Sequence, residues 1–130
     1  MDRRLFLAAL ALAPSAAWAA ESEEKKKGGG LNYIQIPPLT GTVTRSDGRR
    51  GVLTVETGVD VPDRALNKLA EASTPRLRAA YAQVVMTYAA GLSPGSPPNA
   101  DYLSRELQRQ TDLVLGRPGA RLLLGTILVN

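Results

Sequence analysis

The segment Arg121 to Val129, Arg-Leu-Leu-Leu-Gly-Thr-Ile-Leu-Val, constrains the fold most, because both of its alternating faces are apolar. Successive side chains of a strand point to opposite faces, so a run without a polar face has no side to give to water. The pattern predicts a strand placed inside a sheet and sheltered on both faces. Fully burying one Leu or Ile is worth roughly 1.5–3 kcal/mol, so this strand is expected to carry much of the stability. Left open, it is the main aggregation hazard.

The rest of the sheet is read from turn signals. Leu31 to Ile36 is rich in β-formers and is cut off by Pro37-Pro38, which predicts a first strand or extended edge segment. Thr40 to Arg45 and Gly51 to Val59 flank Ser46-Asp47-Gly48-Arg49. An Asp-Gly pair tolerates positive φ at both central positions of a turn, so these two runs are expected to form a hairpin. Leu53, Val55, Thr57 and Val59 share one face, leaving Thr54, Glu56 and Gly58 on a wet one.

Three helices follow. Asp60-Val61-Pro62-Asp63 reads as a helix start, with proline tolerated in the first turn and acids favoured at the positive end of the dipole. That helix runs to about Ala72, and Thr74 as N-cap with Pro75 at the first helical position opens a second. Leu77, Ala80, Tyr81, Val84, Val85 and Tyr88 give the second helix one apolar stripe, and Gly91 is expected to stop it. The tyrosines are expected to be core residues whose hydroxyls reach the edge. Gly91 to Pro98 is a stiff loop, after which Asn99 caps a third, half-exposed helix with Leu103, Leu107 and Val114 inward and Gly116 at its end. The expected fold is α+β: an antiparallel sheet of about four strands, in the order β-β-β-α-α-α-β, packed on helices.

This domain occupies residues 31–130 of a 130-residue chain, because the first thirty read differently. Arg3-Arg4-Leu5-Phe6-Leu7 is followed by an Ala/Leu run and by Ala17-Trp18-Ala19, a small-x-small cleavage site, so Met1 to Ala20 reads as a cleavable export signal. The apolar run is about half the ~20 residues that span a bilayer, and Pro14 interrupts it, so no permanent membrane anchor is expected after cleavage. Arg3, Arg4, Phe6 and Leu7 resemble the twin-arginine pattern, which implies passage through the twin-arginine translocase. Asp2 stands where Ser or Thr is usual and no Lys follows Leu7, so the general secretory route stays open. Residues 21–30, Glu-Ser-Glu-Glu-Lys-Lys-Lys-Gly-Gly-Gly, hold nothing to bury and read as a flexible linker. The product is expected to be periplasmic or secreted.

Composition excludes much chemistry. Without Cys the exported domain has neither disulfide nor thiolate, and without His it lacks the commonest general base and metal ligand. Zinc and other metal sites are not expected. Removing Asp2, Arg3 and Arg4 with the leader lowers the formal charge from +4 to +3. Arg49-Arg50, Arg76 with Arg78, Arg105 with Arg109 and Arg117 with Arg121 are scattered among acids, so no nucleic-acid face is expected. Gly28-Gly29-Gly30 precedes a strand and no Gly-Lys-Ser/Thr follows, which argues against a phosphate loop. Glu56, Asp60 and Asp63 could form a carboxylate cluster, but their spacing matches no calcium loop, and helix capping accounts for Asp60 and Asp63. The serines have no His to activate them, and Lys68 lies on a short exposed helix. No catalytic residue and no cofactor is expected.

The order of elements, with Tyr33-Ile34-Gln35-Ile36-Pro37, the strand Arg49 to Glu56, Thr74-Pro75-Arg76-Leu77-Arg78 and the closing Ile127-Leu128-Val129-Asn130, resembles the periplasmic domain of the flagellar basal-body-associated FliL family. That resemblance covers nearly all of the domain. It implies a non-enzymatic module working beside the flagellar stator through protein contacts. Family members look to be held by an uncleaved N-terminal helix, whereas this chain carries a cleavable leader, which leaves another periplasmic protein partner equally open. Two functions are therefore expected: a binding or assembly module acting through a sheet edge or the third helix, or a small hydrolase or ligand carrier using Glu56, Asp60, Asp63 and the tyrosines. A deep pocket lined by those side chains would separate them.

Overall fold

A computed structural model describes residues 31–130, of which Ile34–Asn130 forms one compact unit. The signal residues Arg3, Arg4, Phe6, Leu7, Ala17 and Ala19 and the linker 21–30 lie outside the described residues. The chain forms strands β1 (Tyr33–Thr44) and β2 (Arg50–Asp60), helices α1 (Arg64–Ala72), α2 (Thr74–Gly91) and α3 (Ala100–Leu115), and strand β3 (Arg121–Val129). The fold is α+β, with an antiparallel sheet of order β1-β2-β3.

Three strands stand where about four were expected, because Pro37-Pro38 does not end the first. Ile36, Leu39, Gly41 and Val43 are buried while Pro37 and Pro38 are both exposed, so the inward phase slips by one residue at the prolines. An edge strand can carry proline, since a missing N–H on its outer side breaks no ladder bond. The two expected strands are one, with a slip of its inward phase at the prolines.

The hairpin forms, but its turn differs from the expected one. Gly48 N donates to Arg45 O at 2.9 Å and Arg45 N donates to Arg49 O at 2.8 Å. Gly48 has φ 83°, and among the described residues only glycines have positive φ. The turn therefore needs one left-handed residue, which is the three-residue loop in place of the two-residue one. Asp47 contributes through its side chain, whose Oδ1 accepts from Arg49 N at 2.9 Å.

Helices cover one face of the sheet. Leu53, Val55, Val59 and Val61 are fully buried and meet Leu77, Tyr81 and Val85 of α2 and Leu103 and Leu107 of α3 in one core. Gly41 lets β1 approach α2 closely: a Cβ there would lie 2.7 Å from the Ala89 Cβ. Strand β2 runs to Asp60, so this residue ends a strand instead of opening a helix. Asp63 alone caps α1, its Oδ2 accepting from Leu66 N at 2.8 Å.

Thr74 is not the cap of α2. Ser73 separates the two helices, and the Thr74 hydroxyl donates back to Ala70 O at 3.2 Å, using the last turn of α1. Pro75 sits in the first turn, but as the second helical residue instead of the first. Helix α2 ends at Gly91, its last helical residue, with Leu92 as the extended C-cap. Asn99 caps α3, with Oδ1 accepting from Tyr102 N at 3.0 Å, and Gly116 closes it at φ 79°. The buried stripe of α3 is Leu103, Leu107, Thr111 and Leu115, with Val114 half-buried at its margin.

The largest departure concerns β3. Among the described residues it pairs with β2 alone, and only Leu122 of its residues is buried. The strand expected inside the sheet is at its edge.

Candidate functional site

Strand β3 divides into two unlike halves. In the first, Arg121, Leu122, Leu123 and Leu124 stand opposite Asp60, Val59, Gly58 and Thr57. The free side of this half is closed by one side chain. Gln108 Nε2 donates to Ala120 O at 2.8 Å, and its Oε1 accepts from Leu122 N at 2.8 Å. A carboxamide has the donor and acceptor of a peptide group, so Gln108 occupies this margin as a neighbouring strand would. Its Nε2 also donates to Asp112 Oδ1 at 3.0 Å, which fixes the amide orientation.

Between Val55 and Thr57 the register shifts: Thr57 faces Leu124 while Val55 faces Ile127. One extra residue of β3, within Gly125-Thr126, bulges there. Gly125 fits because it passes close to β2; a Cβ at that position would lie 3.2 Å from the Glu56 Cβ.

Beyond the bulge the strand is open. Val52 N donates to Asn130 O at 3.1 Å and Asn130 N to Val52 O at 3.0 Å, a reciprocal hydrogen-bonded pair. Such pairs alternate along antiparallel strands, so Leu128 bonds toward β2 while the N–H and C=O of Ile127 and Val129 point to the free edge. Among the described residues no strand lies on that edge. The side chains are open as well: Leu128 is 48% exposed on the outer face, beside Val52 at 45%, and Val129 is 40% exposed on the helix side. There Val129 borders a depression of about 440 Å3, shared with Val43, Leu92 and Pro98.

A second concavity, of about 590 Å3, lies between α2 and α3. Ala80, Val84 and Tyr88 line it from α2, and Tyr102, Glu106 and Gln110 from α3. Tyr88 stacks on Tyr102 with ring centroids 5.5 Å apart, and its hydroxyl accepts from Asn99 N at 2.7 Å. Ring and hydroxyl are thus used in holding the start of α3 against α2. Glu106 pairs with Arg109, and this hydrogen bond holds its carboxyl below the usual glutamate range.

Tyr81 corrects the expectation that both tyrosine hydroxyls reach the edge. It is fully buried, and its hydroxyl meets that of Thr111. Thr111 gives its single proton to Leu107 O at 2.8 Å, so Tyr81 is the donor of the pair. Burial pushes the Tyr81 phenol up to about 12, the Thr111 hydrogen bond opposing and Asp112 adding to the rise.

The structure does not gather Glu56, Asp60, Asp63 and the tyrosines. Glu56 is exposed on the outer sheet face, Asp60 stands opposite Arg121, and Asp63 pairs with Arg117 at 3.2 Å while capping α1. Neither concavity is lined by any of these three carboxylates. No group of three or more His, Cys, Asp or Glu suited to a metal occurs among the described residues. Lys68 is exposed on α1. No helix among the described residues is long and apolar enough to cross a membrane.

Neither a family model nor a characterised protein sequence matches the chain. Sequence reasoning named a sheet edge but placed β3 away from it. It also missed Gln108, which carries no signal: a glutamine on a half-exposed helix is unremarkable until its amide is found on another element's backbone.

Proposed function

We propose that the chain is an exported, non-enzymatic binding or assembly module whose working surface is the distal half of β3. The supporting observation is the coincidence there of backbone groups at Ile127 and Val129, which no strand among the described residues shares, with exposed apolar side chains on both faces, Leu128 outward and Val129 toward the helices. A naked backbone edge recognises another extended backbone, and alternate apolar side chains add to the contact. Folded chains ordinarily blunt such an edge with charge, proline or a covering loop. The first half of β3 is blunted by Gln108 and the second half is not.

The leader supplies the setting: passage by the twin-arginine translocase, removal of Met1 to Ala20, and action in the periplasm on a protein partner. The resemblance to the FliL family suggests the flagellar basal body as the place of action.

A photo-crosslinking residue in place of Leu128, incorporated in living cells, tests the surface. A discrete crosslinked product that disappears on Ile127→Pro is the expected result; no product, or one indifferent to that substitution, counts against it. Deleting the gene and measuring swimming tests the flagellar setting separately, since normal motility removes it without touching the edge.

A further inference from the structure

We infer that the occupant of this edge is a second copy of the same strand, so that two molecules join β3 to β3 antiparallel about a two-fold axis passing beside Leu128. The inference rests on the reading of distal β3 as the working surface and names what covers it.

The edge asks for a strand with apolar residues on both faces, because Leu128 lies open on one and Val129 on the other, beside a half-buried Ile127. Strands β1 and β2 do not answer this. The outer face of β1 carries Thr40, Thr42 and Thr44, and that of β2 carries Thr54 and Glu56. Among the described strands β3 alone meets the demand it makes.

Charge permits the pairing. From Leu122 to Val129 there is no ionisable side chain, so two copies placed antiparallel bring no like charges together, the usual penalty that keeps an edge from itself.

The backbone sets the register. With Leu128 at the axis, the N–H and C=O of Ile127 meet those of the mate's Val129, and the same exchange recurs by symmetry. The two Leu128 side chains become neighbours on the outer face, next to Val52 of each molecule. Pairing cannot run back along the strand, because the bulge at Gly125-Thr126 breaks the ladder and Gln108 already holds Ala120 and Leu122. A short ladder of this kind forms a weak, concentration-dependent dimer.

Sedimentation of the protein purified from the full chain, from micromolar to millimolar concentration, reads the oligomeric state. Amide exchange in the same samples reads the surface. The expected result is a monomer–dimer equilibrium in which Ile127 and Val129 amides gain protection with concentration, while Leu128, bonded to β2, is protected throughout. Ile127→Pro removes an edge-facing N–H without touching the bonds to β2, and Leu128→Lys sets two charges together at the axis. Each should abolish the dimer; Leu128→Lys, at an exposed position, should leave the melting curve of the dilute monomer nearly unchanged, whereas Ile127→Pro also removes a half-buried side chain packed on the core and lowers it.

A monomer at every concentration overturns the inference, and so does a dimer that persists in both variants. If the chain is monomeric yet crosslinks through position 128 to a different protein in cells, self-pairing is wrong and the binding module stands. If it neither pairs nor crosslinks, both readings fall.

Discussion

Strands β2 and β3 lie side by side and exchange hydrogen bonds, yet they have opposite relations between composition and burial. β2 carries Thr54, Glu56, Thr57 and Asp60, and its Leu53, Val55 and Val59 are fully buried. β3 has no charge after Arg121, and Leu128 and Val129 are among the exposed apolar residues of the chain. Position in the sheet makes the difference. A central strand has a neighbour on each side and helices beneath. Among the described residues β3 has one neighbouring strand, and it meets α3 through Gln108 near its start. Hydropathy states what a strand would gain from cover, while topology decides whether cover is there.

The contrast can be broken most directly by truncation. Leu53→Ala should cost about 2–5 kcal/mol, as for a large core residue, whereas Leu128→Ala should stay within about 0.5 kcal/mol. Denaturant midpoints of the dilute protein read both, and equal losses would refute the difference in burial. Thr111→Val, which leaves the buried Tyr81 hydroxyl without its acceptor, should cost about 1–3 kcal/mol.

The same hydroxyl gives a pH dependence with a definite sign. The folded phenol is raised to about 12 from 10.0, so between these values the unfolded chain is the more deprotonated. Stability associated with Tyr81 is complete below pH 10 and is lost as pH rises toward about 12. Alkaline melting curves of Tyr81→Phe should lack that part of the decline.

Within β2, the buried Thr57 Oγ1 has no hydrogen-bond partner. Thr57→Val should therefore stabilise by about 1 kcal/mol, an unusual gain in a core, and a loss of that size would mean the hydroxyl is satisfied. The smallest effect belongs to the margin of β3. Gln108→Ala should cost about 1 kcal/mol and make the Leu122 amide exchange faster, turning the first half of the strand into a likeness of the second.

Much of the fold is legible because local chemistry decides it. Asn99 and Asp63 cap helices through their own side chains, Gly48 and Gly116 stand where the backbone turns left-handed, and Leu77, Tyr81 and Val85 share a stripe fixed by the helical period. The errors come from relations between elements. Whether Pro37-Pro38 ends a strand or rides its edge depends on what lies beside it, and Thr74 loses its capping role because α1 ends one residue too near. The candidate site was the least legible part. Two flawless apolar faces say that β3 needs cover, and nothing in the run itself says that the cover is missing.

Pro37 and Pro38 also govern how far association can proceed. They occupy the opposite margin of the sheet and have no N–H to offer, so that side makes a poor template for an incoming chain. The two margins of the sheet therefore differ: β1 is interrupted at its prolines, whereas distal β3 has no such interruption. If β3 pairs with its own copy as inferred above, these prolines are what stands against growth from the other margin, and a strand whose composition suits a fibre would end in a closed pair.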